Sequence, residues 1–276
     1  MRIVCLVKFV PDVDSFTYDY ETSTLSRDSA RLILNPDDAC ALAFALKLKA
    51  SNRDHREDDQ QDDQIQIEVL SMGPKSVIPH MEDLLRLKTD KGTLLSDPAF
   101  AGSDTYATSL ILARYLAGQN YDCILTGTHA IDGDTAHVPA QIAQELDLDC
   151  MVGITGVDEQ SFSRDRAVFE IDHEHSVDTW EMSMPCVLGL SRESGYKLPY
   201  PAFEDFQKDV ASSLQVLTRE DLDFNPHEVG QQGSLTKVVR TYKKTFHVKE
   251  KILVKNDEQG IDLVFNYLKQ KGFLES

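Results

Sequence analysis

The chain alternates short apolar runs with helix-period segments over its first two thirds, and this alternation restricts the fold more than any other feature. The apolar runs predict strands at residues 2–8, 64–73, 92–96 and 121–127. The intervening segments predict helices that begin at Pro36, with Asn35 as N-cap, and at Pro74, Ser103 and Asp134. Repeated strand and helix units of this kind build a parallel sheet covered by helices on both faces. The sequence therefore predicts an α/β fold with a doubly wound, mostly parallel sheet.

The pattern changes after residue 150. Residues 166–172 and 176–184 alternate as in an antiparallel hairpin, and residues 185–191 predict one further strand. Trp180 is the only tryptophan and is expected to be a core anchor.

Residues 192–276 lose the strand and helix rhythm and predict an extended arm that packs on another surface. A last helix is expected at residues 259–271, with Gly272 closing it. We therefore expect a domain at residues 1–191 and an arm with a terminal helix at residues 192–276.

The charge pattern narrows the class of partner. The formal net charge of −18, from 46 acidic and 28 basic residues, argues against binding to nucleic acid or to an anionic membrane surface. Residues 51–64 contain six acids and no apolar residue, which predicts a solvated loop or a disordered insertion. Solubility explains the charge most simply, and an acidic docking surface for a basic partner is the alternative.

Five scattered cysteines include no C-x-x-C pair and are expected to be reduced core residues. They are Cys5, Cys40, Cys123, Cys150 and Cys186. The first apolar run is interrupted by Lys8 too early for a signal peptide, and no run has the length of a membrane span. These features predict a cytoplasmic protein.

Residues 126–138, TGTHAIDGDTAHV, follow a predicted strand and precede a predicted helix. Gly127 and Gly133 allow close approach of the backbone to a ligand, and Asp134 or Thr135 is a candidate helix cap. The N–H groups of a helix start favour an anion, so this turn predicts a phosphate site. A capped turn without a ligand is an equally good explanation, and His129 and His137 are either phosphate donors or surface residues.

The ends of parallel strands gather at one edge of a sheet, where open α/β sheets bind ligands. Lys8, residues 71–73 and residues 126–128 should meet there, together with Asn35. The sequence contains no Ser/His/Asp order, H-E-x-x-H motif or Walker lysine motif. The residues thus predict a Rossmann-like, adenine-nucleotide-binding domain without catalytic machinery of its own.

Several motifs occur in an order that resembles the β subunit of electron transfer flavoproteins, and the resemblance covers essentially the whole chain. They are VKFVPD (7–12), LNPDD (34–38), VLSMGP (69–74), DPAFAGSDTYATS (97–109), THAIDGDTAHVPAQIA (128–143), YKLPYP (196–201) and VGQQGSLTKV (229–238). The resemblance implies a heterodimer with a flavoprotein α subunit that carries the electron-transferring FAD. It also implies that the arm of this chain wraps that subunit.

In ordinary members of this family the β subunit holds a structural AMP, whereas in the flavin-bifurcating branch a second FAD accepts a hydride from NADH. The VPD segment, the AIDGDTA turn and the VGQQGS segment resemble the bifurcating branch, which favours FAD in this chain. Matching positions imply a cofactor site formed by Lys8, Phe9, Val10, Asn35, Asp37, Met72, Gly73, Gly127, Ala130, Asp132, Gly133, Asp134, Thr135 and His137.

The chain departs from the bifurcating pattern around this site. Phe9, His129 and His137 replace glutamines, and Pro139 and Ala140 replace Gly-Pro. Histidine can donate a hydrogen bond in place of glutamine, but phenylalanine cannot, so an altered flavin potential or altered access of NADH is expected.

The family's partner-recognition segment is also unusual here. A flavin-dependent dehydrogenase is expected to dock near residues 198–209, and this segment is acidic where many members are rich in lysine. This difference predicts another, more basic dehydrogenase partner.

Three alternatives stay open at this point. One is a simple carrier with AMP in this chain and the only FAD on the partner. Another is an adenine-nucleotide enzyme or sensor of the ATP-pyrophosphatase or universal-stress type, although its S-G-G-x-D-S loop is missing. The last is a scaffolding protein that retains no nucleotide.

Overall fold

The computed structural model describes residues 1–12, 17–19, 24–26, 31–54, 64–237 and 253–274. The chain divides into two compact units, Met1–Lys237 and Val238–Ser276. The first unit contains a large mixed sheet with helices on both faces, which confirms the predicted α/β fold.

The strands, in chain order, are β1 (Arg2–Leu6), β2 (Phe9–Pro11), β3 (Thr17–Asp19), β4 (Thr24–Ser26), β5 (Leu32–Leu34), β6 (Gln66–Met72), β7 (Lys91–Leu95), β8 (Cys123–Gly127), β9 (Asp149–Val157), β10 (Arg166–Asp172), β11 (Val177–Ser183), β12 (Cys186–Leu190) and β13 (Leu214–Leu217). Nine of them form one sheet in the order β11-β10-β9-β12-β8-β1-β6-β7-β13. Every pairing from β9 to β13 in that order is parallel, whereas β10 pairs antiparallel with both β9 and β11. The predicted hairpin and the strand after it are therefore confirmed.

The helices of the first unit are α1 (Pro36–Asp54), α2 (Ile78–Leu85), α3 (Thr105–Ala117), α4 (Val138–Leu146) and the single turn α5 (Gly230–Gly233). A 3-10 turn at Lys75–Val77 leads into α2, after the predicted start at Pro74. Helix α1 begins directly after Asn35, as the Asn-Pro pair predicts. No helix within the described ranges combines the length and apolarity that crossing a membrane requires.

Alternate residues of the central strands face opposite layers of helices, because successive side chains of a strand point to opposite faces. Ile3 and Cys5 of β1 join the core cluster that contains residues of α1 and α2. Val4 and Leu6 join the cluster that contains residues of α3 and α4. Both faces of the parallel sheet are thus buried, which explains why its strands are almost continuously apolar.

Three expectations from the sequence need correction. Helix α1 extends through Asp54, so the first four residues of the predicted insertion 51–64 are helical, and residues 55–63 lie outside the described part. Trp180 is 47% exposed on β11, because this strand forms the edge of the sheet and pairs, within the described part of the chain, only with β10. Leu222 belongs to the arm that was expected to pack on another surface, but it is buried within the first unit, in the cluster that also contains residues of α3.

The sequence did not predict β13, which pairs with β7 at the other edge of the sheet. Residues 192–237 therefore contribute a strand to the first unit as well as irregular segments. Tyr200 and Phe203 are almost fully exposed in the segment before this strand, and Phe206 is 67% exposed.

The second unit contains helix α6 (Glu258–Gln270), with Asp257 as N-cap and Gly272 in the left-handed conformation after its end. The predicted terminal helix is thus confirmed. Its large apolar side chains are exposed within the described residues of this unit. They include Ile261, Leu263, Val264, Phe265, Tyr267 and Phe273.

Candidate functional site

The carboxyl ends of β1, β6 and β8 lie side by side, as the parallel order of the sheet requires. Lys8 follows β1, Met72 ends β6 with Gly73 directly after it, and Gly127 ends β8. The Asn35 N–H donates to the Lys8 carbonyl at 2.8 Å, which places the start of α1 at the same edge. We call this group of strand ends, with residues 128–137, the carboxyl edge.

Asp38 in the first turn of α1 joins the β1 and β8 ends. Its carboxylate accepts hydrogen bonds from the Lys8 N–H at 2.8 Å and from the Gly127 N–H at 3.0 Å. A Cβ at Gly127 would lie only 2.4 Å from Asp38 Oδ1, so glycine is required by this close approach. Burial raises the pKa of Asp38 to about 7, against the opposing effect of the hydrogen bonds from Lys8, Asn35 and Gly127.

The Asn35 side chain holds the loop that follows β8. Its Nδ2 donates to the His129 carbonyl at 2.8 Å, and its Oδ1 accepts from the Ile131 N–H at 3.1 Å. The loop is also tied to the neighbouring strand β12, because the Thr128 N–H donates to the Leu190 carbonyl. The first half of the loop is therefore fixed, whereas residues 132–137 are exposed.

The expected helix start at Asp134 is wrong, because α4 begins at Val138. Asp134 and Ala136 have φ values of 51° and 53°, a left-handed conformation that cannot continue into a right-handed helix. Neither Asp134 nor Thr135 caps the helix; His137 stands at the N-cap position without a side-chain hydrogen bond. The sequence signal for the true start is Pro139, because proline is favoured in the first turn of a helix.

Two ion pairs, each between a basic and an acidic side chain, lie at the carboxyl edge. Lys8 Nζ lies 2.7 Å from Asp132 Oδ2, an exposed pair that links the β1 end to the loop. Arg192 Nε donates to Asp37 Oδ1 at 3.1 Å, and its Nη2 lies 3.2 Å from His129 Nε2.

The Asp37 side chain is fully buried. Its Oδ2 lies 3.2 Å from His129 Nδ1 and has no hydrogen bond of acceptable geometry to any residue that the structure describes.

Arg192 was missed by the sequence analysis. It lies in the 3-10 turn Arg192–Ser194, directly after β12, and β12 pairs in parallel with β8. The rule that strand ends meet at one edge applies to β12 as well, so the signal was present in the predicted strand at residues 185–191.

The structure places the other predicted site residues less closely together. Phe9 packs against His80 with ring centroids 5.3 Å apart, and Val10 is buried in β2. Ala130 accepts a hydrogen bond from the Asp134 N–H, which closes a turn around Gly133. Thr135 and His137 are exposed beyond this turn.

The residues at this edge fit an adenine nucleotide. A Cβ at Gly133 would meet no described atom within 4 Å, so the loop is open there, and the start of α4 has N–H groups without a side-chain cap that can bind a phosphate. Gly127, by contrast, leaves room for Asp38 of α1 and not for the ligand that the sequence had suggested. Lys8 and Arg192 supply positive charge beside them. Among the described residues, no group of three or more His, Cys, Asp and Glu side chains could hold a metal ion.

Comparison with known proteins indicates the family of this chain independently of the site geometry. Residues 22–197 match the model of the electron transfer flavoprotein domain. A protein of Thermoanaerobacterium thermosaccharolyticum named electron transfer flavoprotein subunit beta is 34% identical over 242 residues, which cover 87% of each chain.

Two further relatives are named as parts of reductase systems. Caffeyl-CoA reductase-Etf complex subunit CarD of Acetobacterium woodii is 32% identical over 88% of this chain and 87% of its own. Acryloyl-CoA reductase electron transfer subunit gamma of Anaerotignum propionicum is 30% identical over 98% of this chain and 99% of its own. The similarity therefore extends over nearly the whole length of these relatives.

Proposed function

Because this chain belongs to the β-subunit family of electron transfer flavoproteins, we propose that it binds FAD at the carboxyl edge and transfers electrons together with an α subunit. The electrons pass between NADH or a flavin-dependent dehydrogenase and another acceptor, by bifurcation. The chain is a carrier subunit in the cytoplasm, and oxidation of NADH requires the αβ complex.

The observation that carries this proposal is the close packing of Gly127 on the first turn of α1. It fixes the end of β8, and the loop that follows it is exposed at residues 132–137 and leads to a helix start whose N–H groups have no side-chain cap. The adenosine phosphate part of FAD is bound by this loop, with Asn35 holding its first half and Lys8 contributing charge. FAD supplies one-electron and two-electron transfer there, and the residues of the chain bind and orient it.

The choice of FAD over AMP rests on the motifs shared with the bifurcating branch and on the two relatives named with reductases. Phe9 and His129 differ from that branch, and both have partners of their own, His80 for Phe9 and Arg192 with Asp37 for His129. The second candidate is the ordinary carrier, in which AMP occupies the same edge and the α subunit holds the only FAD.

The test is an inventory of nucleotides in the heterodimer purified with its α subunit. Protein is denatured, and FAD and AMP are counted per heterodimer by chromatography. Two FAD molecules without AMP are expected, and NADH should reduce one of them in the absence of any dehydrogenase. One FAD with one AMP would replace the proposal by the ordinary carrier, and one FAD without AMP would contradict nucleotide binding by this chain.

The α subunit is proposed to cover the terminal helix. Helix α6 has exposed apolar residues along its length, which is typical of a helix that packs on a partner. Replacing Phe265 and Ile261 by serine should weaken the heterodimer at least tenfold, measured by sedimentation of the purified subunits. Unchanged assembly would contradict a role of α6 in the interface.

The segment at residues 198–209 is proposed to dock a basic dehydrogenase. Phe203 and Phe206 are exposed apolar side chains within it, and Glu204, between them in sequence, is also exposed. Asp205 is mostly buried, and its Oδ2 lies 3.9 Å from Lys88, so Glu204 is the better position for a test. Glu204→Lys should weaken binding of the dehydrogenase, and unaltered binding would count against the acidic docking surface.

A further inference from the structure

Arg192 differs from the other cation of the carboxyl edge in how it is held. Lys8 has an exposed ion pair to the exposed loop residue Asp132. Arg192 is bound through Nε to the fully buried carboxylate of Asp37, which fixes the base of the guanidinium on the first turn of α1. A buried anion that positions a cation is typical of a preorganised binding group.

The remaining donors of Arg192 are available to a ligand. A guanidinium has five N–H donors, and Arg192 contacts protein only through Nε and Nη2 among the described residues. The side chain is 47% exposed, and its outer end lies beside His129 in the loop that follows Gly127. It is thus held firmly at one end and accessible at the other.

The charge of the edge also requires such a residue. Asp132 and Asp134 lie in the loop, Asp37 lies beside the loop residue His129, and Lys8 is engaged by both oxygens of Asp132. A phosphate entering this acidic environment would be repelled without a further cation. Asp37 and His129 hold the guanidinium of Arg192 beside the loop. Its positive charge is therefore in place before a ligand binds.

We propose that Arg192 is a nucleotide-binding residue that contacts the 5′-phosphate of the adenosine moiety, with Asp37 as its positioning residue. The inference rests on the proposed function, since it assumes an adenine nucleotide at this edge. It concerns the adenosine 5′-phosphate that FAD and AMP share, so it holds for either cofactor. Planar, charge-assisted contacts of this kind are the ones for which arginine is suited and lysine is not.

The experiment compares AMP with adenosine, which lacks the phosphate. Both are titrated by calorimetry into heterodimer stripped of nucleotide, using wild type, Arg192→Gln, Arg192→Lys and the control Arg166→Gln. Arg166 is an exposed arginine paired with Glu181 on the hairpin. Arg192→Gln should raise the Kd for AMP at least tenfold and leave the Kd for adenosine within twofold, whereas Arg192→Lys should give an intermediate loss and Arg166→Gln none.

The experiment distinguishes failure of this inference from failure of the proposed function. Equal weakening of AMP and adenosine by Arg192→Gln would show that the residue only supports the loop, which overturns the inference. Unchanged AMP binding would overturn it as well, while the proposed function would stand. Wild-type heterodimer in which this chain bound neither AMP nor FAD would instead contradict the proposed function.

Discussion

Two clusters of charged residues lie at opposite ends of the strands of the same sheet, and they differ in how fully their hydrogen bonds are satisfied within the protein. At the amino-terminal ends of the strands, Glu68 of β6 is buried and its carboxylate has four partners. They are Arg2 at 3.0 Å, Thr93 at 2.7 Å, Lys91 at 3.1 Å and Tyr115. At the carboxyl edge, Asp37 is equally buried, but one of its oxygens has no hydrogen bond among the described residues, and residues 132–137 of the loop beside it are exposed.

The difference separates a structural cluster from a binding site. The Glu68 cluster connects four strands and a helix, since Gln215 of β13 also donates to Thr93 and to Tyr115. Its hydrogen bonds are completed within the protein, so it stabilises the sheet and leaves little for a ligand. The carboxyl edge retains unused donors and left-handed residues, features that are costly in a fold and are found at functional sites.

The largest expected effect is an opposite pH dependence of the two clusters. Burial raises the pKa of Asp38, so its contribution to stability is present at acidic pH and is lost as the pH rises toward about 7. Burial also acts on Glu68, but hydrogen bonds from Tyr115 and Thr93 and the charge of Lys91 outweigh it and lower its pKa. The contribution of Glu68 is therefore present near neutral pH and is lost on acidification below about 4.

Asp38→Asn and Glu68→Gln heterodimers test this contrast through denaturant unfolding between pH 3 and pH 8. The advantage of wild type over Asp38→Asn should shrink as the pH rises from 4 to 7, by up to about 4 kcal/mol. The advantage over Glu68→Gln should instead shrink as the pH falls through the acidic range. Parallel curves for the two variants would show that the clusters do not differ in this way.

Glu68→Gln is expected to cost about 3 kcal/mol of stability at pH 7, because it removes the anion from between Arg2 and Lys91. The Kd for AMP should stay within twofold of wild type. Glu181→Gln is the control, since that exposed pair with Arg166 should contribute less than about 1 kcal/mol. A loss of nucleotide affinity without a loss of stability would reverse the roles of the two regions.

Gly127→Ala should destabilise the chain by about 2 kcal/mol or more and reduce nucleotide retention, because the added Cβ would collide with Asp37 and Asp38. Gly118→Ala is a matched control, since its Cβ would meet only the Tyr115 carbonyl at 3.6 Å. Unfolding and nucleotide content are measured on the same preparations. Equal behaviour of the two variants would contradict the tight packing at the end of β8.

Lys8→Gln gives the smallest expected change in stability, within about 0.5 kcal/mol, because the Lys8–Asp132 pair is exposed. Its Kd for AMP should rise about five- to tenfold, as expected for the loss of one charged contact. Lys47→Gln is the control, since Lys47 forms a similar exposed pair with Glu159 at 2.7 Å. Calorimetry that found the same Kd for both variants would remove Lys8 from the site.

The sequence predicted the strands and the helix start that form the carboxyl edge, but it did not predict the Glu68 cluster. The central strands are buried on both faces, so their apolar runs marked β1, β6, β7 and β8 to within about two residues, as local patterns allow. The Asn-Pro pair marked the start of α1 for a local reason, since proline has the φ of a first helical residue. The parallel order then predicted which strand ends meet.

The parts that were missed depend on distant residues. β13 is a short strand that is stabilised by pairing with β7 more than one hundred residues earlier, and its own sequence carries little pattern. The exposure of Trp180 depends on β11 being the edge strand, which local sequence does not reveal. Residues 134 and 136 take left-handed conformations although neither is glycine, so the start of α4 was predicted too early.

The most direct test of nucleotide binding at the carboxyl edge is photolabelling of the wild-type heterodimer with 8-azidoadenosine 5′-monophosphate, followed by peptide mapping of this chain. We expect label in the peptides of the carboxyl edge, at residues 35–38, 72–73 or 127–137, and protection by FAD. Label confined to the cavity of about 600 Å³ lined by Met1, Leu48, Ile65 and Phe162, or absent from this chain, would contradict it.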